Sequence, residues 1–530
     1  MAQFMLEKAA AISITYGVLA LCATVACLAI PFICKKMKQE NDGQDFWYSA
    51  RDSQSWISLG LSFFASSMGA WVLFAAPEVG ALSAWWGVLG YAVASSLPFL
   101  VLGVLGPKVR SRFGQGFCVG DWVCQRYGRP MQILVAVVSV FYMWVYLVAE
   151  LTSMGNLVRD FAGMDPLNTL LPVSIVTMLY TMAGGLPASI WTDRVQGVVM
   201  VITVLVAIIA CTTGLDIKEN AWKETSVWND KGFEAFVTLI LAILGAELFN
   251  MGNWQRVYAA KDETHLYKGL VLGACMIFLT MMLFGVVGML AEAQDRSRAE
   301  PSLVIKALAF FDLLRSQSGW VIGLAFALGT CMVTSSVDSL QTGLLSVISK
   351  DVIGLKFSPM VLTGLGQVFV LAVNVPAIFF AHEATKDVEL GLNVINLFLI
   401  ADLLTLAIAV PVFAGLGSLA TQNGALAGCV SGFVTIMAFG WFEFGTFKAG
   451  LEMFTLMAFG NIKPVEFGLT ASRTCIIFFV LPLISGLVTF TVSWCERVLQ
   501  HLASIAGSKS ADMETTKELS GPPAIEHEEI

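Results

Sequence analysis

Phe64-Ala65-Ser66-Ser67-Met68-Gly69-Ala70-Trp71, with Pro77-Glu78-Val79-Gly80 close behind, is the stretch that sets the architecture. It sits inside an apolar run long enough to cross a bilayer, and it fills the middle of that run with small and hydroxyl-bearing residues. Lipid offers no water to a freed backbone N–H or C=O, so a spanning helix breaks only where those groups line a cavity or are buried in protein. The break therefore marks either a binding site near the midplane or close helix packing through small residues. A second interruption, Leu244-Gly245-Ala246-Glu247-Leu248-Phe249-Asn250-Met251-Gly252-Asn253, comes five helices later. That interval is what two five-helix repeats of inverted topology produce, with their broken helices meeting at the midplane.

The rest of the chain agrees with a membrane solvent. Of 530 residues, 57% are hydrophobic and 13% charged, whereas soluble domains carry about 25% charge. Runs such as Ala10 to Cys34, Ile133 to Leu151 and Ile190 to Thr213 reach the roughly 20 residues needed to span hydrocarbon. The first ends at Lys35-Lys36 without a small-residue cleavage site, so it reads as a retained span. The pattern predicts an all-α polytopic protein of about thirteen transmembrane helices, at 10–34, 55–80, 83–106, 130–155, 167–183, 190–213, 233–252, 268–292, 318–347, 359–381, 388–416, 425–441 and 471–494. Residues 1–42 form an extra N-terminal span and loop, 43–416 the repeat core, 417–506 two further spans, and 507–530 an acidic tail too polar to fold.

Lysines and arginines in short loops resist translocation. Lys35, Lys36, Lys38 and Arg51, then Lys108, Arg110, Arg112, Arg126 and Arg129, with Arg256, Lys261 and Lys268 later, put the N-terminus outside and the tail in the cytoplasm. A plasma-membrane location and a monomer are expected, oligomeric state being left open. Eleven cysteines are scattered without disulfide or zinc spacing, and His265, His382, His501 and His527 fall in loops or the tail. No intramembrane metal cluster, enzyme active site, organic cofactor or nucleic-acid role is implied.

An acid near the bilayer centre costs roughly 2.5 to 3.5 kcal/mol on insertion scales, so each needs a partner or a purpose. Glu78, Glu150, Asp193, Glu247, Asp338 and Asp402 are such acids. Asp193 lies in Gly184-Gly185-Leu186-Pro187-Ala188-Ser189-Ile190-Trp191-Thr192-Asp193-Arg194-Val195-Gln196. That stretch resembles a signature of the sodium:solute symporter family. Ala65 to Trp71 with Pro77, and Thr334-Ser335-Ser336-Val337-Asp338-Ser339 running to Ser349-Lys350-Asp351, resemble it as well, closest to its proline-carrying branch. The resemblance covers roughly residues 43 to 495.

It implies a five-plus-five inverted-repeat core of the LeuT type and cation-coupled symport of a small polar solute such as proline, urea, pantothenate, choline or another amine, by alternating access. The alternatives are a transporter-like nutrient sensor and a proton-coupled carrier. For the coupling ion, sodium or a proton, it implies carbonyls of Ala65 and Met68, with Cys331 and Met332 where relatives carry a hydroxyl pair. A shift of one helical turn brings Ser335 and Ser336 there instead. Sulfur donors suit sodium poorly, since hard cations take oxygen. Ser67 stands where the proline branch has an aspartate, and Asp193 stands where relatives hold an additional cation. For the solute the implied residues are Ser67, Gly69, Trp71, Tyr146, Glu150, Glu247, Asn250 and Trp254. Glu150 then suggests a solute with a cationic group, attracted also by the face of Trp71 or Trp144, unless Glu150 binds the ion or pairs with Arg159.

Overall fold

The computed structural model describes residues 5–39, 43–113, 116, 118–298, 306–348, 359–386, 394–457 and 467–519. Lys350 and Asp351 of the third motif, and the acidic residues from 520 onward, lie outside them. Among the described residues there is no strand beyond one isolated bridge, Gln54 with Ala260. The helices that matter here are α1 (Lys8–Gln39), α2 (Trp56–Ser67), α3 (Val72–Arg112), α4 (Arg129–Ala162), α5 (Leu167–Thr212), α6 (Asp230–Glu247), α7 (Met251–Ala259), α8 (Glu263–Ser297), α9 (Gly319–Val347), α10 (Pro359–Lys386), α11 (Val394–Phe413), α12 (Gln422–Phe444) and α13 (Ser472–Leu519).

Ten of the described helices are long and apolar enough to span a bilayer, and the pair α6–α7, bent by 60°, adds an eleventh span. Two of the ten are interrupted. Ala84 in α3 and Gly185 in α5 leave helical geometry, at φ 49° and φ 60°. Each interruption separates two of the spans read from sequence, which restores the expected thirteen. Gly185 is required twice over, because its positive φ suits glycine and because a side chain there would run into the Trp47 carbonyl and ring. The expected end of the last helix does move. α13 runs on to Leu519, beyond residue 494, where hydropathy ends the last span, and into the stretch from 507 expected as a tail.

Packing follows the logic of membranes, where small residues let backbones approach and van der Waals contact replaces a hydrophobic drive between helices. α3 and α8 meet backbone to backbone. A methyl group added at Gly80 would overlap the Gly285 carbonyl, and one at Gly288 would overlap the Pro77 carbonyl. This contact holds the second half of the broken helix, α3, against a long continuous one. Side chains of α1 instead leave Leu28 and Phe32 about two-thirds exposed, as a peripheral lipid-facing helix should.

Gly288→Ala is therefore expected to lower stability by about 1 to 3 kcal/mol through overpacking. Gly17→Ala, where nothing lies within 4 Å, is the control and should cost nothing measurable. Thermal unfolding of the two variants in one detergent checks the contrast, and equal melting temperatures would refute the close-packing account.

Candidate functional site

The two breaks open the site. α2 stops at Ser67, Met68 leaves helical geometry at φ −99° and ψ 81°, and α3 restarts at Val72. Among the described residues, no backbone N–H donates to the carbonyl of Ala65 or Met68, and no carbonyl receives the N–H of Gly69, Ala70 or Trp71. The break thus presents carbonyls from one half-helix and N–H groups from the other. At the second break the Asn250 side chain caps α7 by accepting from the Gly252 N–H at 3.1 Å. Trp254 braces it by donating from Nε1 to the Leu248 carbonyl at 2.8 Å.

Between the breaks lies a cavity to which both contribute residues. Ser67, Met68, Trp71, Tyr146, Glu150, Glu247, Asn250 and Ser336 all line it, together with Ser66, Tyr91, Phe398 and Asp402. No lysine, arginine or histidine does. Its carboxylates are held differently. Glu247 accepts from Tyr142 Oη at 3.0 Å, Asn250 Nδ2 at 3.2 Å and Asn253 Nδ2 at 2.8 Å. Asp402, 1% exposed, accepts from Tyr146 Oη at 3.0 Å. Glu150, 2% exposed, packs directly over Gly69, where any side chain would overlap its oxygens. Its Oε2 and the hydroxyl of Ser336 are buried without a hydrogen-bond partner. Aromatic rings complete the walls: Tyr142 and Tyr146 stand 4.3 Å apart by centroid, Tyr146 and Phe398 4.5 Å, Trp71 and Phe398 5.4 Å.

A second polar cluster is separate from the cavity. Asp193 and Arg256 form an ion pair at 2.8 Å with both side chains 0% exposed. The Asp193 oxygens also accept from Ser335 at 2.6 Å and from Ser62. Arg256 donates further to Ser62, Ser339 and the Gly252 carbonyl. Asp338 accepts from Tyr180 at 2.6 Å, Ser189 at 2.8 Å, Thr192 and Ser339. Three charges are thus taken out of water inside a mesh of hydroxyls, the arrangement a buried ion pair needs to survive desolvation.

Several expectations change. Arg256 is no loop charge and gives no support to the topology, because it lies in the core. Trp254 braces the second break and does not line the cavity. Cys331 faces α1 in a separate apolar groove with Cys22, and its carbonyl accepts from Gln196 at 3.3 Å. Met332 is fully buried and also lies outside the cavity. Arg159 pairs with Asp160 at 2.9 Å, not with Glu150. Trp144 donates to the Val373 carbonyl from a different face of α4. Tyr142, which holds Glu247, and Asp402, which lines the cavity, are site residues beyond those expected from the sequence. Tyr142, Tyr146 and Glu150 recur every four residues, the spacing that puts them on one helix face, so Tyr142 was within reach.

The model of the sodium:solute symporter family matches residues 47–432. A spermidine transporter of Candida albicans is 28% identical over 390 residues, covering 71% of this chain and 70% of that relative. The sodium/proline symporter of Escherichia coli is 24% identical over 466 residues, covering 80% and 89%. The solved structure of a Na+-coupled sialic acid symporter, in its substrate-bound outward-open state, superposes with a TM-score of 0.67 at 15% identity, over 89% of this chain and 98% of that one. The fold is therefore the LeuT-type inverted repeat. With its broken helices, its central cavity and a family match across most of its length, this chain belongs to the sodium:solute symporter family.

Proposed function

We propose that this symporter carries a small cationic amine inward together with sodium. The observation that carries the reading is the charge of the cavity: Glu150, Glu247 and Asp402 face one space that contains no basic side chain. Carboxylates gathered in low dielectric repel one another, and a positively charged solute relieves that repulsion. The rings of Trp71, Tyr91, Tyr146 and Phe398 would meet the alkyl part of the amine and attract its charge through their faces. The spermidine transporter among the relatives supports the same substrate class.

For the ion, the unpaired carbonyls of Ala65 and Met68 and the unpartnered hydroxyl of Ser336 supply hard oxygen donors of the kind that replace a hydration shell. Ser335 belongs to this set by sequence, although its hydroxyl is committed to Asp193 at 2.6 Å. Family membership favours sodium. Asp193 acts in this reading by fixing Ser335 and Arg256 rather than by holding the ion, since Arg256 is already its cation.

Ion and amine both bring positive charge inward, so an inside-negative potential drives the cycle twice. At 100 mV each charge contributes about 2.3 kcal/mol. Uptake of a labelled amine into proteoliposomes should be saturable, should require an imposed sodium gradient and should rise with inside-negative potential. Uptake driven by a proton gradient alone would replace sodium with the proton as coupling ion. Uptake of neutral or anionic solutes in preference to amines would overturn the substrate class.

Glu247→Gln and Asp402→Asn should each raise the half-saturating amine concentration about tenfold to hundredfold, as loss of a hydrogen bond to a charged group does. Unchanged half-saturation in both variants would remove these carboxylates from the site. Asp193→Asn leaves Arg256 buried without its partner and should cost about 3 kcal/mol of stability. The fall in melting temperature should be the same with and without sodium. A loss seen only in sodium would make Asp193 an ion ligand.

A further inference from the structure

The position of Glu150 narrows the substrate class further, and the argument rests on the amine reading above. The restart of the first broken helix, α3, offers the N–H groups of Gly69, Ala70 and Trp71, none of them paired with a backbone carbonyl. A helix start of this kind is an anion site, because several N–H groups and the positive end of the helix dipole converge there. In transporters with broken helices it is where an anionic group of the substrate docks. Here that place is taken. The Glu150 carboxylate reaches it from α4 and packs against Gly69 with no room for a side chain between them. Its Oε2 remains without a partner and, with the equally unpartnered Ser336 hydroxyl, is buried beside the cavity that both residues line.

We propose that Glu150 is the specificity-determining residue of this cavity: its carboxylate fills the anion niche of the broken helix, so the protein accepts amines that lack a carboxylate and rejects the corresponding amino acids. An amino acid would have to set its own carboxylate beside that of Glu150 in a water-poor space, where like charges oppose each other strongly. An amine faces no such conflict. Its ammonium can donate to the free Oε2 while the carboxylate stays against Gly69. Specificity here comes from a repulsive element as much as from an attractive one.

Putrescine and ornithine differ by a single carboxylate and form the test pair. Labelled putrescine uptake is measured in proteoliposomes of the full chain with each compound as competitor. Ornithine should compete at least about tenfold more weakly than unlabelled putrescine in the wild type. In Glu150→Ser, which empties the niche, the two should come within about threefold of each other. Glu150→Gln fills the space without charge and should give a ratio between those two. Ligand-induced thermal stabilisation of the same proteins gives the ratio independently of turnover, so a variant that binds but no longer transports still reports. Equal competition in the wild type, or an unchanged ratio in both variants, would overturn the role of Glu150 and leave the amine reading standing. Uptake of ornithine without uptake of putrescine would overturn both.

Discussion

A backbone polar group in hydrocarbon has no water to turn to, and this one constraint organises the molecule. At Met68 and at Leu248 to Asn250 spans are broken, and the structure surrounds both places with other helices. α8 supports the second half of the first break through glycine contacts so close that neither Gly80 nor Gly288 can carry a side chain. Asn250 and Trp254 satisfy part of the second break locally. What is left unsatisfied at the first break, carbonyls on one side and N–H groups on the other, becomes the chemistry of the site.

The intramembrane charges divide into two populations by the same reasoning. Asp193, Asp338 and Arg256 are tied into a closed set of hydroxyl and ion-pair contacts, and their energetic interest is in one another. Such a set fixes α2, α5, α7 and α9 relative to one another, since each helix contributes a member. Glu150, Glu247 and Asp402 share a cavity with no internal cation. Their cost of burial is offset only in part by tyrosines and asparagines, which leaves them open to the cationic solute proposed above. The first population builds the scaffold. The second lines the cavity.

The contrast explains why the site was only partly legible beforehand. Periodicity along one helix is written in the sequence, so Tyr146 and Glu150 could be placed together on α4. Asp402 belongs to α11 and meets Tyr146 across 256 positions of chain, a pairing no local pattern encodes. Cys331 and Met332 show the opposite error. They are one helical turn from Ser335 and Ser336, and a turn along a helix keeps roughly the same face. Only the rotation and depth of α9 against α2 decide which pair adjoins the break. Arg256 was misread for a similar reason, because a basic residue just past a break looks like the start of a loop until the core around it is seen.

The sequence by itself determined that the chain spans a membrane many times, that two of its helices break five helices apart, and that acids lie where lipid makes them costly. These follow from hydropathy and from small polar residues inside apolar runs, properties that local composition carries. The tertiary structure alone decided which acids pair with Arg256 and which face an open cavity, and it set the Glu150 carboxylate on the start of α3. Those outcomes depend on contacts between helices remote in sequence, fixed by backbone approach and side-chain volume rather than by any residue's own character.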